Sequence, residues 1–180
     1  MEKFLLSYRK FLKSLTRATG VIAGILVLYC GIIIAYEVVC RGVFNAPTEW
    51  VTEIATYCVV IAGFLGMGTA YAGKKHIHVD VILSQLSPKV KTYLALITSA
   101  IGIFYCYIFM FQSWKMAMLS LEYNNCAPST LGTPLWIPQV SMPIGFAVLM
   151  LEIFRTLLEC IVKIRSGEFT RDFDKEVAKQ

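Results

Sequence analysis

Four long stretches without a charged side chain divide this 180-residue chain, and its cations are concentrated outside them. Residues 18–36, 54–73 and 92–114 are uncharged throughout, and a fourth stretch, 135–151, continues past a few charges to residue 162. Each is about as long as an apolar helix must be to cross a ~30 Å hydrocarbon layer. A chain in lipid has to satisfy its backbone hydrogen bonds internally, so such segments are expected as helices. The pattern predicts an all-α integral membrane protein with four transmembrane helices. Its parts are an amphipathic arm over 1–17, a membrane domain over 18–164 and a tail over 165–180.

The remaining composition agrees. Hydrophobic residues make up 57% of the chain and charged residues 16%, which leaves no length for a soluble catalytic domain. The formal charge of +5 is explained by where the cations lie. Lys3, Arg9, Lys10, Lys13 and Arg17 precede the first stretch, Lys74, Lys75, Lys89 and Lys91 fall between the second and third, and Lys163, Arg165, Arg171, Lys175 and Lys179 follow the fourth. The other two connections carry only Arg41 and Lys115 at their edges. By the positive-inside rule, both termini and the middle loop are expected in the cytoplasm. No aromatic-basic interleaving suggests a nucleic-acid partner; the expected surroundings are a lipid bilayer. The first stretch is too long for the core of a signal peptide and no small-residue cleavage motif follows, so it is expected to stay as a membrane helix.

Within the arm, Phe4, Leu5, Tyr8, Phe11, Leu12 and Leu15 recur at helical spacing among basic residues. This predicts an N-terminal interfacial helix lying on the inner leaflet. A plain extension of the first span is the alternative. The short link 43–47 predicts a tight hairpin between spans one and two, with Pro47 in a first helical turn and Trp50 at the membrane–water boundary. Ala62, Gly66 and Ala70 at four-residue spacing suggest a close-packing helix face. Residues 121–143, with Pro128, Pro134, Pro138 and Gly132, are expected as a long irregular outer loop, with Trp136 inside it.

Charges near or within the spans are the candidate functional groups. Glu37 and Arg41 share a face of helix one, and Glu49 and Glu53 share a face at the start of helix two, so Arg41 is placed to neutralise Glu37, Glu53 or both. Glu152, Arg155 and Glu159 line one face of helix four, where they pair among themselves or meet another membrane protein. At Glu37, Arg41, Glu49 and Glu53 structural pairing ranks ahead of a proton or sodium site, because these residues lie near the surface. His76 and His78 with Asp80 are too few for a closed metal site, and no histidine lies in a span to hold haem. No nucleophile–base pair or nucleotide-binding loop is present. The six cysteines read as apolar packers, although Cys40 and Cys126 are near enough to one face to permit a disulfide. No cofactor and no enzymatic activity are expected.

The order Glu37-x-x-x-Arg41, Phe44-Asn45-x-Pro47-x-x-Trp50-x-x-Glu53, Phe64-Leu65-Gly66 and His76-Ile77-x-Val79-Asp80, with a Pro/Trp-rich loop and Pro143-Ile144-Gly145-Phe146, resembles the small membrane subunit of tripartite ATP-independent periplasmic (TRAP) transporters, the DctQ-like family. The likeness covers most of residues 15–162. It implies a non-catalytic subunit that widens the static scaffold of a large membrane subunit. That large subunit works with a periplasmic solute-binding protein in sodium-coupled uptake of organic acids across the bacterial inner membrane. Partner-interface or structural roles are then expected for Glu37, Arg41, Trp50, Glu53, Gly66, Trp136, Glu152 and Arg155. The alternative is a self-sufficient small multispan proton-coupled exporter in which Glu37 or Glu53 carries the proton.

Overall fold

The computed structural model describes residues 2–73, 88–129 and 131–166. These form four long helices: α1 (Glu2–Val43), α2 (Glu49–Ala72), α3 (Pro88–Glu122) and α4 (Trp136–Ser166). Three are long and apolar enough to cross a membrane, with candidate spans at Tyr8–Phe44, Glu49–Ala72 and Thr92–Glu122; α4 is not among them. The loop bearing His76, His78 and Asp80, and the tail from residue 167, lie outside the described residues.

α1 is one unbroken helix of 42 residues, so the expected arm over 2–17 continues the first span. The reason is local. The basic character changes near residue 17, but nothing between residues 13 and 24 stops a helix: there is no proline, and Gly20 and Gly24 keep negative φ. α1 ends where the Cys40 carbonyl accepts the N–H groups of both Phe44 and Ala46 (3.2 Å each) while Asn45 takes a left-handed φ of 49°. The chain then enters α2 through Thr48, an extended N-cap residue, so Pro47 stands just before the helix and not in its first turn. Pro88 does open α3.

The irregular outer connection is shorter than the expected 121–143. It runs only from 123 to 135, because Pro138 and Pro143 lie inside α4. Pro138 sits in the first turn, where a missing N–H removes no helical bond. Further on, Ser141 Oγ donates to the Pro138 carbonyl at 2.6 Å. The connection folds back on itself: Ala127 N–H donates to Thr133 O (2.9 Å), Leu135 N–H to Asn125 O (3.0 Å), and Cys126 bridges Pro134. Asn124 and Gly132 supply the left-handed φ values of 47° and 58° that this reversal needs. The six thiols, all among the described residues, form no disulfide, Cys40 and Cys126 included.

Packing follows the order α1–α2–α4–α3, with α3 and α4 the most extensive pair and α2 and α4 the central one. One apolar cluster joins α1 to α2 through Cys30, Ile33, Val51, Ala55 and Cys58. A second joins α3, α4 and α2 through Cys106, Phe146 and Ile153, extended by Phe64 and Met67. The Phe146 ring lies 5.5 Å from Phe109 and 5.7 Å from Phe64, tying three helices together. The outward faces of α1 and α3 are apolar and exposed, including Leu28, Ile32, Ile101 and Phe104. Such faces suit lipid, which an aqueous protein could not offer over this area.

Glycine sets the helix spacing at positions other than the one singled out in the sequence. A Cβ at Gly66 would meet only Ala23 Cβ at 3.8 Å, an ordinary contact. At Gly145 it would run into the Phe64 carbonyl, at Gly68 into Val148 Cγ1 (2.6 Å), and at Gly20 into Thr69 Oγ1 (2.5 Å). α2 is therefore approached closely on two sides, by α1 at Gly20 and by α4 at Gly145. Gly145→Ala should cost about 1–3 kcal/mol through overpacking against backbone. Gly63→Ala, where open space surrounds the site, should be neutral. Thermal midpoints of the purified proteins in one detergent check this, and equal midpoints would refute the close approach.

Candidate functional site

Two groups of charged side chains occupy the ends of the bundle. One lies at the turn end, where the 44–48 and 123–135 connections sit; the other lies toward the end that carries both termini.

At the turn end, Glu37 is 8% exposed despite its charge. Its carboxylate accepts Arg41 Nη2 (3.0 Å), the Thr48 amide (3.0 and 3.3 Å) and the Thr48 hydroxyl. Thr48 is the N-cap of α2, yet its side chain makes no cap bond to its own helix. A carboxylate from α1 thus meets the positive end of the α2 dipole, where an anion is stabilised. Thr48 was missed in the sequence reading, since its role depends on the turn geometry; a threonine just before the acidic first turn was the available signal. The Arg41 side chain is 67% exposed, so the guanidinium caps the clamp from the outside.

Arg41 does not reach Glu53 among the described contacts. Glu53 instead accepts Tyr57 Oη at 2.9 Å and Ser129 Oγ at 2.6 Å. It pins the outer connection, which leaves α3 and returns into α4, onto the start of α2. Trp50 packs its ring against Tyr36 at 6.3 Å, half-exposed at the rim. Trp136 opens α4 and is similarly exposed.

Toward the other end, Glu152 is fully buried. It accepts Thr16 Oγ1 from α1 at 2.6 Å and faces Arg155 Nη1 at 3.3 Å. Arg155 Nε lies 3.5 Å from Glu159 Oε1, and that same oxygen meets Arg9 Nη2 of α1 at 3.0 Å. Two carboxylates and two guanidiniums alternate from the interior to the surface, and their charges cancel. Only the Arg9–Glu159 contact is close at the exposed rim; Glu152 Oε2 and Arg155 Nε make ionic contacts without hydrogen-bond geometry. Thr16 is the junction. Its carbonyl accepts Thr69 Oγ1 of α2 (2.8 Å) and Thr19 Oγ1 (3.1 Å). Tyr8 Oη adds a bond to the Leu151 carbonyl at 3.0 Å, and Tyr71 Oη reaches Thr156 at 3.3 Å. The sequence brought out the Glu152–Arg155–Glu159 stripe but gave no sign that α1 supplies its partners.

The chemistry available in both clusters is ion pairing and hydrogen bonding between elements. Among the described residues, no group of three or more His, Cys, Asp or Glu side chains is placed to hold a metal ion.

The family model described as "Tripartite ATP-independent periplasmic transporters, DctQ component" matches residues 30–163. The chain belongs to the DctQ family. It is also similar to a putative TRAP transporter small permease protein of Haemophilus influenzae, with 28% identity over 137 residues, 76% of this chain and 83% of that protein. This DctQ chain is therefore the small subunit of a TRAP transporter, embedded in a membrane by several apolar helices. The matched region contains both the Glu37 clamp and the Glu152 stripe, whereas Arg9 and Thr16 precede it.

Arg155→Leu should leave a fully buried carboxylate without its counter-ion and cost roughly 3–5 kcal/mol. Arg9→Ala, at the exposed rim, should cost under ~1 kcal/mol. The double replacement Glu152→Met with Arg155→Met should recover most of the single loss, because it removes both buried charges and leaves Arg9 with Glu159. Unfolding in detergent, followed by helical circular dichroism, measures all three; a double variant no better than Arg155→Leu would refute the pairing. At the other cluster, Glu37→Ala should destabilise more than Arg41→Ala, since it deprives Thr48 as well as Arg41 of an acceptor. The same measurement would reject the Thr48 clamp if the two losses were equal.

Proposed function

We propose that this DctQ subunit is a non-catalytic scaffold. It spans the bacterial inner membrane four times with both termini in the cytoplasm, and it steadies a large transporting subunit that receives organic acids from a periplasmic solute-binding protein. Sodium is the coupling ion in this reading. The fourth span is α4, whose apolar half, 136–151, is followed by the Glu152 stripe packed against α1.

The observation that carries the proposal is how the intramembrane charges are used. Glu37, Glu53, Glu152 and Glu159 are each engaged between elements of the chain itself, and Arg155 pairs with Glu152 and Glu159 on its own helix. A coupling site needs groups that exchange partners during the cycle, commonly at midplane breaks in helices. Glu37 and Glu53 instead sit near helix ends, and Glu152, midway along the unbroken α4, is held by Thr16 of α1. The excess of lysine and arginine before α1, in 74–91 and after α4 supports the orientation. The partners and the cargo rest on the family.

The test is co-expression of this chain, tagged, with a TRAP large subunit. The two should co-purify, and proteoliposomes should accumulate an organic acid only when both subunits, the binding protein and a sodium gradient are present. Glu37→Gln and Glu53→Gln should leave the ion coupling ratio unchanged. Solute movement by this chain alone, or loss of coupling in either variant, would overturn the scaffold reading.

A further inference from the structure

On the early turns of α1, Arg9 is taken by Glu159 at 3.0 Å, but three further cations are not taken. Lys10, Lys13 and Arg17 are exposed, and among the described residues none of their side chains makes an ion pair or a hydrogen bond. The carboxylates that α4 brings to this end, Glu152 and Glu159, are already matched by Arg155 and Arg9. Lys10 and Lys13 are three residues apart and Lys13 and Arg17 four, so the three form one stripe with two gaps of ~5–6 Å between Cβ atoms. The helix that carries them is held in place: Tyr8 Oη donates to the Leu151 carbonyl, Arg9 pairs with Glu159, and Thr16 donates to Glu152.

We infer that this stripe binds one anionic phospholipid with two phosphates, of the cardiolipin class, in the leaflet at the end that carries the termini. One phosphate lies between Lys10 and Lys13, the other between Lys13 and Arg17, and an acyl chain follows α1 past Val21 and Leu28. The depth is right. The uncharged stretch begins at residue 18, so Arg17 stands at the edge of the hydrocarbon. Lys13 and Lys10 follow about 6 and 10 Å further out along the helix, within a lysine's reach of the headgroup layer. Lys10, Arg17, Val21 and Leu28 recur at steps of seven and four residues, which keeps them on one face. Val21 is 54% and Leu28 71% exposed, so the cations lead directly into an open apolar track.

Charge and the continuity of that face decide the occupant. A soluble anion would meet the cations but leave Val21 and Leu28 uncovered. A zwitterionic lipid would bring an ammonium toward three positive charges. A lipid with a single phosphate would fill one of the two gaps. Two phosphates joined through one glycerol stand about one helical turn apart, so they fill both and bring two negative charges to three cations. Clustered lysine and arginine at the membrane surface is the usual ground for recognising such headgroups. Because α1 is already fixed against α4 along the same turns, the stripe is preorganised and little ordering opposes binding.

The inference does not rest on the scaffold reading, because the full chain alone carries the stripe, and its failure would leave that reading as it stands. The test is native mass spectrometry of the full-length protein in mild detergent, titrated separately with cardiolipin and with phosphatidylglycerol of matched acyl chains. One cardiolipin should bind about fivefold more tightly than phosphatidylglycerol, the worth of one further cation contact. Lys10→Gln should weaken cardiolipin about fivefold and leave phosphatidylglycerol, which still has the Lys13–Arg17 gap, nearly unchanged, so the preference disappears. Replacing Lys10, Lys13 and Arg17 together by Gln should weaken cardiolipin about a hundredfold, while Lys115→Gln on α3 should change nothing. Equal affinity for the two lipids in the unaltered chain would overturn the inference, as would a preference that survives Lys10→Gln. An equal loss in Lys115→Gln and Lys10→Gln would also overturn it, because net charge alone would then be binding. Efficient cross-linking of Lys13→Cys to the large subunit in the assembled complex would assign the stripe to protein and sink the lipid site. If the triple variant fails to fold, the headgroup comparison and the single replacements, both at exposed positions, still decide.

Discussion

A carboxylate in an apolar slab must find a partner within the protein, and this bundle is organised around three that do. Glu37 joins α1 to the start of α2, Glu53 joins α2 to the connection between α3 and α4, and Glu152 joins α4 to α1. In lipid the hydrophobic effect gives helices little reason to associate, since an acyl chain is as apolar as leucine. Directional contacts then decide which helix neighbours which. Glu37 ties consecutive helices, whereas the Glu53 and Glu152 bonds span 76 and 136 residues of chain, so together they fix the order α1–α2–α4–α3.

Between those ends the bundle relies on proximity. Gly20, Gly68 and Gly145 let backbones and short side chains meet where a Cβ would collide. The Phe64–Phe146–Phe109 series fills the space that the glycines do not close. These are dispersion contacts, individually weak and effective only at short range. The polar clamps set the register that brings them into range, which is why a clamp and a glycine contact occur close together at Thr16, where Gly20 and Thr69 also meet.

What the sequence revealed depended on the range of each interaction. Glu37 with Arg41, and Glu152 with Arg155 and Glu159, are separations of three or four residues on one helix, and spacing alone exposes them. Thr48 left only a local signal, a threonine before an acidic first turn, and Thr16 left none, because their roles arise from a turn and from a contact spanning 136 residues. The Ala62–Gly66 stripe does face a neighbour, Ala23 of α1, but at ordinary contact distance, because a four-residue stripe marks a smooth face without saying how near the opposite helix comes; the tighter approaches are at Gly68 and Gly145. The arm over 1–17 was set apart by a change of charge, to which backbone helicity is indifferent, and the alternative of a plain extension matches the continuous α1. Pro138 and Pro143 suggested irregular chain, yet one falls in a first turn and the other is tolerated inside a packed helix.

The two clamps that involve α1 differ in a way that bears on their purpose. The Glu37 cluster ends in Arg41, paired with Glu37 and 67% exposed, whereas the Glu152 cluster ends in Arg9, which reaches across from α1 to Glu159. The second is closed: its charges cancel within the chain, so it fixes α1 against α4 and offers little to a visitor. The first ends in that exposed guanidinium, so its outer edge is open to the surroundings. In the scaffold role proposed above, the closed cluster would keep the subunit's own helices in place. The contrast between Arg41 and Arg9 puts the buried polar lock toward the termini and leaves the turn end with the more exposed guanidinium.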